Sequence, residues 1–250
     1  MNTLSRHSDD DATAPKLVEG STKSVARTTQ QATRWLALGA IAGPILFTLT
    51  WIILGFLSPG YTAWGVRIAP YSSISQGISG LGLGVTAPFM NTAFVLSGIL
   101  ILAGVVGIFQ GMREMDTLVR WVCTVLLALL PLGMAIDGIF TLESFLPHMM
   151  GFLLAVGSPV LSFVVIGLLF RRISSMRQFG NWLILGSPLT LVLIILYFLT
   201  FSPTVEGTQS GIAGLTERIL VVEVLAWFVV MGLRAFRQPS QSVHSRGLYL

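Results

Sequence analysis

Six apolar runs of roughly twenty residues constrain the fold of this chain more than any other feature of its sequence. They lie at 35–56, 89–109, 121–140, 148–170, 182–201 and 215–233. A helix of about 20 residues, rising about 1.5 Å per residue, crosses a hydrocarbon core about 30 Å thick. Because backbone polar groups must be hydrogen-bonded within the chain in lipid, each run predicts a transmembrane helix. The sequence therefore predicts an all-α fold, an integral membrane bundle of six transmembrane helices.

The composition also indicates a membrane protein, and it divides the chain into three parts. Hydrophobic residues make up 53% of the chain and charged residues only 10%, which is far from the balance of a soluble domain. We expect a disordered polar tail at 1–33, a six-helix transmembrane domain at 34–236 and a short polar tail at 237–250. The first apolar run lacks an A-x-A-like cleavage site, so we interpret it as a retained helix rather than a signal peptide.

The positions of the basic residues predict the orientation of the bundle. If both termini are cytoplasmic, all of the 15 Lys and Arg residues except Arg67 and Arg218 fall on the inner side, as expected because cationic loops stay in the cytoplasm. Five acids then lie in outer loops or outer halves of spans: Asp137, Glu143, Glu206, Glu217 and Glu223. We therefore predict a multi-pass plasma-membrane protein. Its basic charge is interpreted as a topology signal with some attraction to lipid, and no nucleic-acid partner is expected.

The cysteine and histidine counts exclude several kinds of site. Cys123 is the single cysteine, so the chain forms no intramolecular disulfide, C-x-x-C redox pair or thiolate metal cluster. Two of the three histidines, His7 and His244, lie in the predicted tails, on the side opposite to His148. A three-histidine zinc site or a bis-histidine haem therefore cannot be assembled within one chain, and we expect no metal and no cofactor.

Prolines and glycines indicate how the helices pack. Prolines lie inside four predicted spans, at Pro44, Pro131, Pro159 and Pro188. Each proline removes a backbone hydrogen bond and can kink its helix. G-x-x-x-G motifs at 39–43 and 107–111 permit close approach of helices. These features are typical of a tightly packed bundle or, as an alternative, of discontinuous helices that frame a ligand in a transporter.

The longest predicted outer loop, at about 57–88, is not simply polar. Its segment YSSISQGISGLGLGVTAP interleaves serine and glycine with isoleucine and leucine, so we expect it to fold back over the bundle as a lid or a short interfacial helix. Its G-L-G-L-G run lacks the strand, helix and acidic partner of a dinucleotide-binding fingerprint. No nucleotide site is predicted.

Four segments carry a resemblance to a known family: YSSISQGISGLG, APFMNTAFVLSGILIL, the GIF before LPH, and GLTERILVVEVLAWF. Over roughly 35–236 the chain resembles the bacterial and archaeal membrane family called domain of unknown function 998. The shared motifs are Ser-x-Leu-Gly at Ser79, the histidine of the fourth span, His148, and Gly-Leu-x-x-Arg ending at Arg218. The family pattern has an acid after the serine where this chain has Gly80, so no role of that acid is transferred. The resemblance implies six membrane helices and no established reaction.

Candidate site residues cluster around DGIFTLESFLPHMMG at 137–151. A short hairpin brings Asp137, near the end of the third span, close to His148 at the start of the fourth, and an ionisable residue at that depth usually has a partner in the bundle. We predict Asp137 and His148 as catalytic candidates, with Asp137 orienting His148 as a general base. Four ligand-binding candidates are expected at the same level: Ser79, Asn91, Arg218 and Glu223. No separate nucleophile is identified.

Three functional classes remain open from the sequence. The favoured one is a pocket on the outer face that binds a lipid or other amphiphile, with Arg218 holding an anionic group; a reaction on the bound ligand is left open. A second is a proton-coupled transporter in which Asp137 or Glu223 titrates. The third is a non-catalytic assembly subunit whose polar groups only fix packing. Whether the protein is an enzyme is left open, and membrane lipids or a hydrophobic small molecule are the expected partners.

Overall fold

The architecture is that of a six-helix membrane bundle, seen in a computed structural model that describes residues 28, 31–112, 114–201 and 211–237. Six helical segments in this part of the chain are long and apolar enough to cross a membrane: α1 (Gln31–Leu57), α2 (Gly84–Gly111), α3 (Thr117–Ile139), α4 (Phe145–Phe170), α5 (Ser174–Thr200) and α6 (Ala213–Arg237). The predicted all-α membrane fold is confirmed. The sidedness of the termini stays a prediction, and most of both predicted tails lies outside the described residues.

The six helices pack in chain order, and α6 returns to contact α1, so they form a closed ring. Glycines permit a close approach between α1 and α2. A Cβ atom added at Gly43 would lie 2.7 Å from the Ile101 side chain, and one added at Gly107 would lie 2.6 Å from the backbone nitrogen of Ala37. Both glycines belong to the G-x-x-x-G motifs of the sequence, which therefore act as packing surfaces between these two helices.

Helix α4 is interrupted where it passes the centre of the bundle. Its regular segments Phe145–Phe152 and Ser158–Phe170 are joined by a π-helical turn at Leu153–Gly157. Pro159 has no backbone N–H, so the carbonyl group four residues before it loses its usual partner, and a π turn is one way to accommodate the loss. The Oγ of Ser158 donates to the carbonyl oxygen of Leu154 at 2.6 Å. The turn widens the helix beside the cavity described below.

Residues 58–83, called the cap here, cover one end of the bundle. The cap contains a hairpin that the sequence did not predict, with β1 (Tyr61–Ala63) antiparallel to β2 (Val66–Ile68). Trp64 and Gly65 in its two-residue turn both have positive φ, 47° and 80°, as primed hairpin turns require. Further along the cap, the 3₁₀ helix Ile78–Gly82 places Ile78 and Leu81 in the hydrophobic core. The expected folding back of this loop over the bundle is confirmed.

Arg218 of α6 fastens the cap to the bundle. Its Nη1 donates to the carbonyl oxygens of Ser73 and Gln76 at 2.8 and 2.9 Å, and to that of Gly214 at 2.7 Å. Its Nη2 donates to the hydroxyl oxygen of Tyr71. Hydrogen bonds from a charged guanidinium group are stronger than those between neutral groups, so this buried side chain holds the cap backbone in place. The cap is therefore held against the ends of the helices.

Candidate functional site

A connected array of three polar side chains lies beneath the cap. The Oγ of Ser79 is 2.8 Å from Nε2 of His148. The other ring nitrogen, Nδ1, is 2.9 Å from the carbonyl oxygen of Phe140 and 3.4 Å from Oδ1 of Asp137. Asp137 and His148 are buried, whereas Ser79 is half-buried. The cap, α3 and α4 thus each contribute one residue to what we call the Ser79–His148–Asp137 array.

The hydrogen-bond partners of His148 assign its tautomer. The carbonyl oxygen of Phe140 can only accept, so Nδ1 carries a proton and donates it to Phe140. In the neutral ring Nε2 is then an acceptor, and the hydroxyl group of Ser79 donates to it. This is the arrangement in which an imidazole can take a proton from a serine.

The Asp137 carboxyl group lies beside the imidazole ring without a hydrogen bond to it. The separation of 3.4 Å between Asp137 Oδ1 and Nδ1 exceeds the usual 2.7–3.2 Å of an N–H···O bond. Within the part of the chain that the structure describes, this buried Oδ1 has no hydrogen-bond partner. An unpaired carboxyl oxygen beside Nδ1 favours positive charge on the ring, so Asp137 is placed to stabilise a protonated His148.

Glycines allow the array to form where α3 and α4 cross. A Cβ atom added at Gly151 would lie 2.8 Å from Cγ of Asp137 and 3.0 Å from the carbonyl oxygen of Gly133. Any larger residue at 151 would therefore push the Asp137 carboxyl group or the α3 backbone away. At the start of α4, the backbone N–H of His148 donates to the carbonyl oxygen of Ser144 at 3.0 Å, which fixes the first turn and the base of the imidazole.

An apolar cavity extends from the array into the bundle. The space between its lining atoms, counted together with the part that opens to solvent, is about 460 Å³. Its polar lining residues are Ser79, Asp137 and Glu217, all on the capped side. The rest of its lining is apolar: Phe47, Ile78, Phe94, Leu130, Met134, Phe152, Ala155, Val156, Val221, Val224 and Leu225. A deep apolar space with a few polar groups at one end is typical of a ligand pocket.

Glu217 is a site residue that the sequence analysis counted only as a charge. Its side chain is buried, lines the cavity and accepts the backbone N–H of Ile78 at 2.9 Å. It therefore holds the 3₁₀ helix that carries Ser79. The spacing of 217, 221, 224 and 225 places these four positions on one face of α6, and this pattern is the signal that identifies Glu217 as a residue facing the interior.

Two tyrosines of the cap, Tyr61 and Tyr71, lie close enough to Glu217 to interact with its charge. Burial, with a contribution from the negative charge of Glu217, raises the pKa of Tyr61 to about 12. Burial also raises the pKa of Tyr71 above its ordinary value, although the neighbouring guanidinium of Arg218 acts in the opposite direction. Both phenols are therefore protonated at neutral pH. Tyr71 uses its hydroxyl proton to donate to the carbonyl oxygen of Gly77 at 3.0 Å.

The other predicted site residues lie apart from the array. Arg218 uses its two terminal nitrogens on the cap, and it does not line the cavity. Asn91 donates to the carbonyl oxygen of Gly82 at 3.2 Å. Glu223 accepts hydrogen bonds from Trp227 Nε1 at 2.6 Å and Thr190 Oγ1 at 2.9 Å. Of the six candidates from the sequence, the structure thus brings together Ser79, Asp137 and His148.

The chemistry available to the array is that of a hydroxyl group, a base and a carboxyl group. Among the described residues no group of three His, Cys, Asp or Glu side chains is arranged to hold a metal ion. A serine paired with an imidazole, whose second nitrogen is oriented by a fixed acceptor, is the structural signature of an activated nucleophile.

Comparison with known proteins identifies a family without a known activity. No curated protein and no solved structure matches the chain. Residues 41–234 match the model of a family described as "Protein of unknown function (DUF998)". This match covers more than half of the chain and includes both the array and the cavity, and the protein therefore belongs to that family.

Proposed function

We propose that the protein binds an amphiphile with a single hydrocarbon chain, which enters the cavity while its polar group stays at Ser79. The observation that carries the proposal is the distribution of polarity in the cavity. Its polar residues lie at the capped end, and the deeper lining, such as Leu130, Val156 and Leu225, is apolar. An alkyl chain buried there would replace empty apolar space with contacts, at roughly 0.8 kcal/mol for each buried CH₂ group.

The charges around the cavity favour an uncharged polar group on the ligand. Two carboxyl groups, those of Asp137 and Glu217, line it, and no Lys or Arg of the described chain does. Arg218, the cation expected to hold an anion, has its terminal nitrogens bonded to the cap. A phosphate would therefore be buried without a cationic partner. An ester, amide or hydroxyl group can instead exchange hydrogen bonds with Ser79.

We also propose that the capped end faces the outside of the plasma membrane. The described cations near the opposite ends of the helices are Arg34, Arg120, Arg171, Arg172, Arg177, Arg234 and Arg237. Only Arg67 and Arg218 of the described cations lie at or next to the cap. This asymmetry supports a cytoplasmic location for both termini. The ligand would then come from the outer leaflet or from the outer aqueous phase.

A photoreactive monoacylglycerol with a diazirine in its chain tests the binding proposal. We expect wild type to form adducts at cavity residues. Val224→Phe fills the cavity, so its crosslinking should fall at least about tenfold, which corresponds to a loss of about 1.4 kcal/mol of binding free energy. Val222→Phe, on the lipid-facing side of the same helix with 45% of its side chain exposed, is the matched control. Ala155→Leu provides a smaller filling variant if Val224→Phe is unstable in detergent.

Competition and adduct mapping decide the outcome. Unlabelled monoacylglycerol should compete, whereas a lysophosphatidate with the same chain should compete less, because no Lys or Arg of the described chain lines the cavity to hold its phosphate. Adducts confined to lipid-facing side chains, or equal crosslinking in stable cavity-filling variants, would rule the proposal out. The transporter and assembly-subunit alternatives stay predictions. Glu223, which the transporter alternative uses, does not belong to the cavity lining.

A further inference from the structure

We infer that Ser79 is a nucleophile and that the array transfers the acyl group of an ester bound in the cavity. This inference rests on the proposed binding of an amphiphile and specifies what happens to it. Three observations meet at Ser79: its hydrogen bond to an imidazole, the tautomer of that imidazole, and its position in the cavity lining. A serine that served only to fix packing would need the hydrogen bond to the imidazole, but neither that tautomer nor a position in the cavity lining.

The contact between nucleophile and base has catalytic geometry. The separation of 2.8 Å between Ser79 Oγ and His148 Nε2 falls within the 2.6–3.2 Å expected of a general base and the proton it removes. The Phe140 carbonyl holds the proton on Nδ1, so Nε2 presents its lone pair to Ser79. No rearrangement of the ring is needed before proton transfer.

The charge that develops on the ring has a partner already in place. When Nε2 accepts the serine proton, the imidazole becomes cationic, and Asp137 Oδ1 lies 3.4 Å from Nδ1. A carboxyl oxygen that is already oriented toward the ring in a water-poor site stabilises such a cation without reorganisation. Asp137 therefore acts through His148, as a positioning and electrostatic residue, whereas Ser79 and His148 are the catalytic residues.

The reaction balances with an ester and a hydroxylic acceptor. Ser79 Oγ attacks the ester carbonyl carbon while its proton moves to Nε2 of His148. The ester C–O bond then breaks, and His148 returns the proton to the departing oxygen, which leaves as an alcohol and gives an acyl-serine. Water or a second alcohol attacks the acyl-serine, giving its proton to Nε2, and the restored serine takes that proton back. The products are an acid or a new ester, and no oxidant or metal is consumed.

Ser79 lies between the apolar cavity, which would hold the acyl chain, and the capped side, from which water or an alcohol would arrive. Ser79 lines the apolar cavity and is half-buried at the base of the cap. Several other residues of the cap are exposed, among them Thr62, Trp64 and Arg67. A chain in the cavity would place its ester carbonyl at the polar end, beside Ser79. The alcohol or water that completes the reaction arrives from the capped side.

A long-chain alkyl fluorophosphonate tests the nucleophile directly in purified full-length protein. We expect a covalent adduct on Ser79, located by peptide mass spectrometry, and its loss in Ser79→Ala. Ser75→Ala is the matched control, because Ser75 lies in the same loop and its hydroxyl has no hydrogen-bond partner among the described residues. His148→Gln should slow labelling about a hundredfold or more, the usual contribution of a general base.

A second variant separates chemistry from folding. In Ser79→Cys the thiol keeps the position of the hydroxyl, and a long-chain iodoacetamide reports its reactivity. Adding His148→Gln to this variant should slow alkylation at neutral pH, because the base that produces the thiolate is gone. Equal alkylation rates in the two proteins, together with no fluorophosphonate adduct on wild type, would overturn the inference.

The binding and catalytic proposals fail in different ways. In wild type, crosslinking by the diazirine monoacylglycerol reports binding of the chain, and the fluorophosphonate adduct reports the reactivity of Ser79, so the two proposals are measured separately. Crosslinking without any Ser79 adduct or ester cleavage would refute catalysis and leave the binding proposal intact. A Ser79 adduct with no crosslinking in the cavity would support the nucleophile and refute the proposed binding of the chain.

Discussion

At the scale of single residues, the site depends on which atoms face each other rather than on which residue types are present. Arg218 and Glu217 are neighbours in the chain, yet Arg218 bonds outward to the carbonyl oxygens of Ser73 and Gln76 while Glu217 lines the cavity. A helix turns each successive residue by about 100°, so adjacent charges serve different parts of the fold. The buried cation secures the cap, and the buried carboxyl group shapes the pocket.

Replacing Asp137 by Asn should impair the chemistry of Ser79 more than the stability of the bundle. The amide keeps the size of the carboxyl group but cannot offset the positive charge on His148, so we expect fluorophosphonate labelling to slow by at least about tenfold, or about 1.4 kcal/mol. Melting in detergent should change little. Glu143→Gln is the control, because Glu143 is exposed in the turn that joins α3 to α4, where it accepts a hydrogen bond from the Trp64 backbone N–H. Equal loss of labelling in both variants would contradict this assignment.

The sequence named all three residues of this array as candidates, but it predicted only the proximity of Asp137 and His148, for a physical reason. Asp137 and His148 flank a short turn between two apolar runs, so proximity followed from chain connectivity. Ser79 lies 69 residues from His148, and only the folding of the cap brings it to Nε2. A long loop has many conformations that satisfy its composition, so its contacts could not be predicted from residue spacing. Asn91, Arg218 and Glu223 were expected at the same level of the membrane, but depth alone does not determine which face of a helix a side chain occupies.

At the scale of elements, the crossing of α3 and α4 sets the site. Gly133 and Gly151 let the two backbones approach, and the Asp137 carboxyl group fills the space beside Gly151. The apolar runs predicted both helices, because burial in lipid requires length and hydrophobicity. The π turn at Leu153–Gly157 and the hairpin Tyr61–Ile68 were not predicted. Both depend on local backbone hydrogen bonding that apolar periodicity does not encode.

Introducing a methyl group at position 151 should disturb this crossing. Gly151→Ala places a Cβ atom 2.8 Å from Asp137 Cγ, so we expect destabilisation of about 1–3 kcal/mol, the usual cost of overpacking, together with slower labelling of Ser79. Gly157→Ala on the same helix is the matched control, since its added Cβ would meet only Leu153 Cδ2, at 4.0 Å. Thermal unfolding in detergent measures both variants. A Gly151→Ala protein as stable and reactive as the control would show that α3 and α4 do not approach as described.

At the scale of the whole molecule, the bundle is asymmetric across the membrane. One end carries the cap, the array and the polar lining residues of the cavity, and the other carries most of the described arginines. The six helices form a closed ring, and the cavity has polar lining residues at the capped end and apolar lining residues elsewhere. The direction of this asymmetry determines whether the proposed substrate comes from the outer or the inner leaflet, so the orientation of the chain is part of its function.

Labelling of single introduced cysteines in intact cells should establish that orientation. Thr62 lies exposed in the hairpin of the cap, and Ser174 lies exposed at the opposite end of the bundle. An impermeant maleimide should label Thr62→Cys before lysis and Ser174→Cys only after lysis, because arginine-rich loops are retained in the cytoplasm. The native Cys123 is buried, so wild type provides a low background. The reverse pattern would place the array on the cytoplasmic side, and the acyl-transfer substrate would then have to come from the inner leaflet.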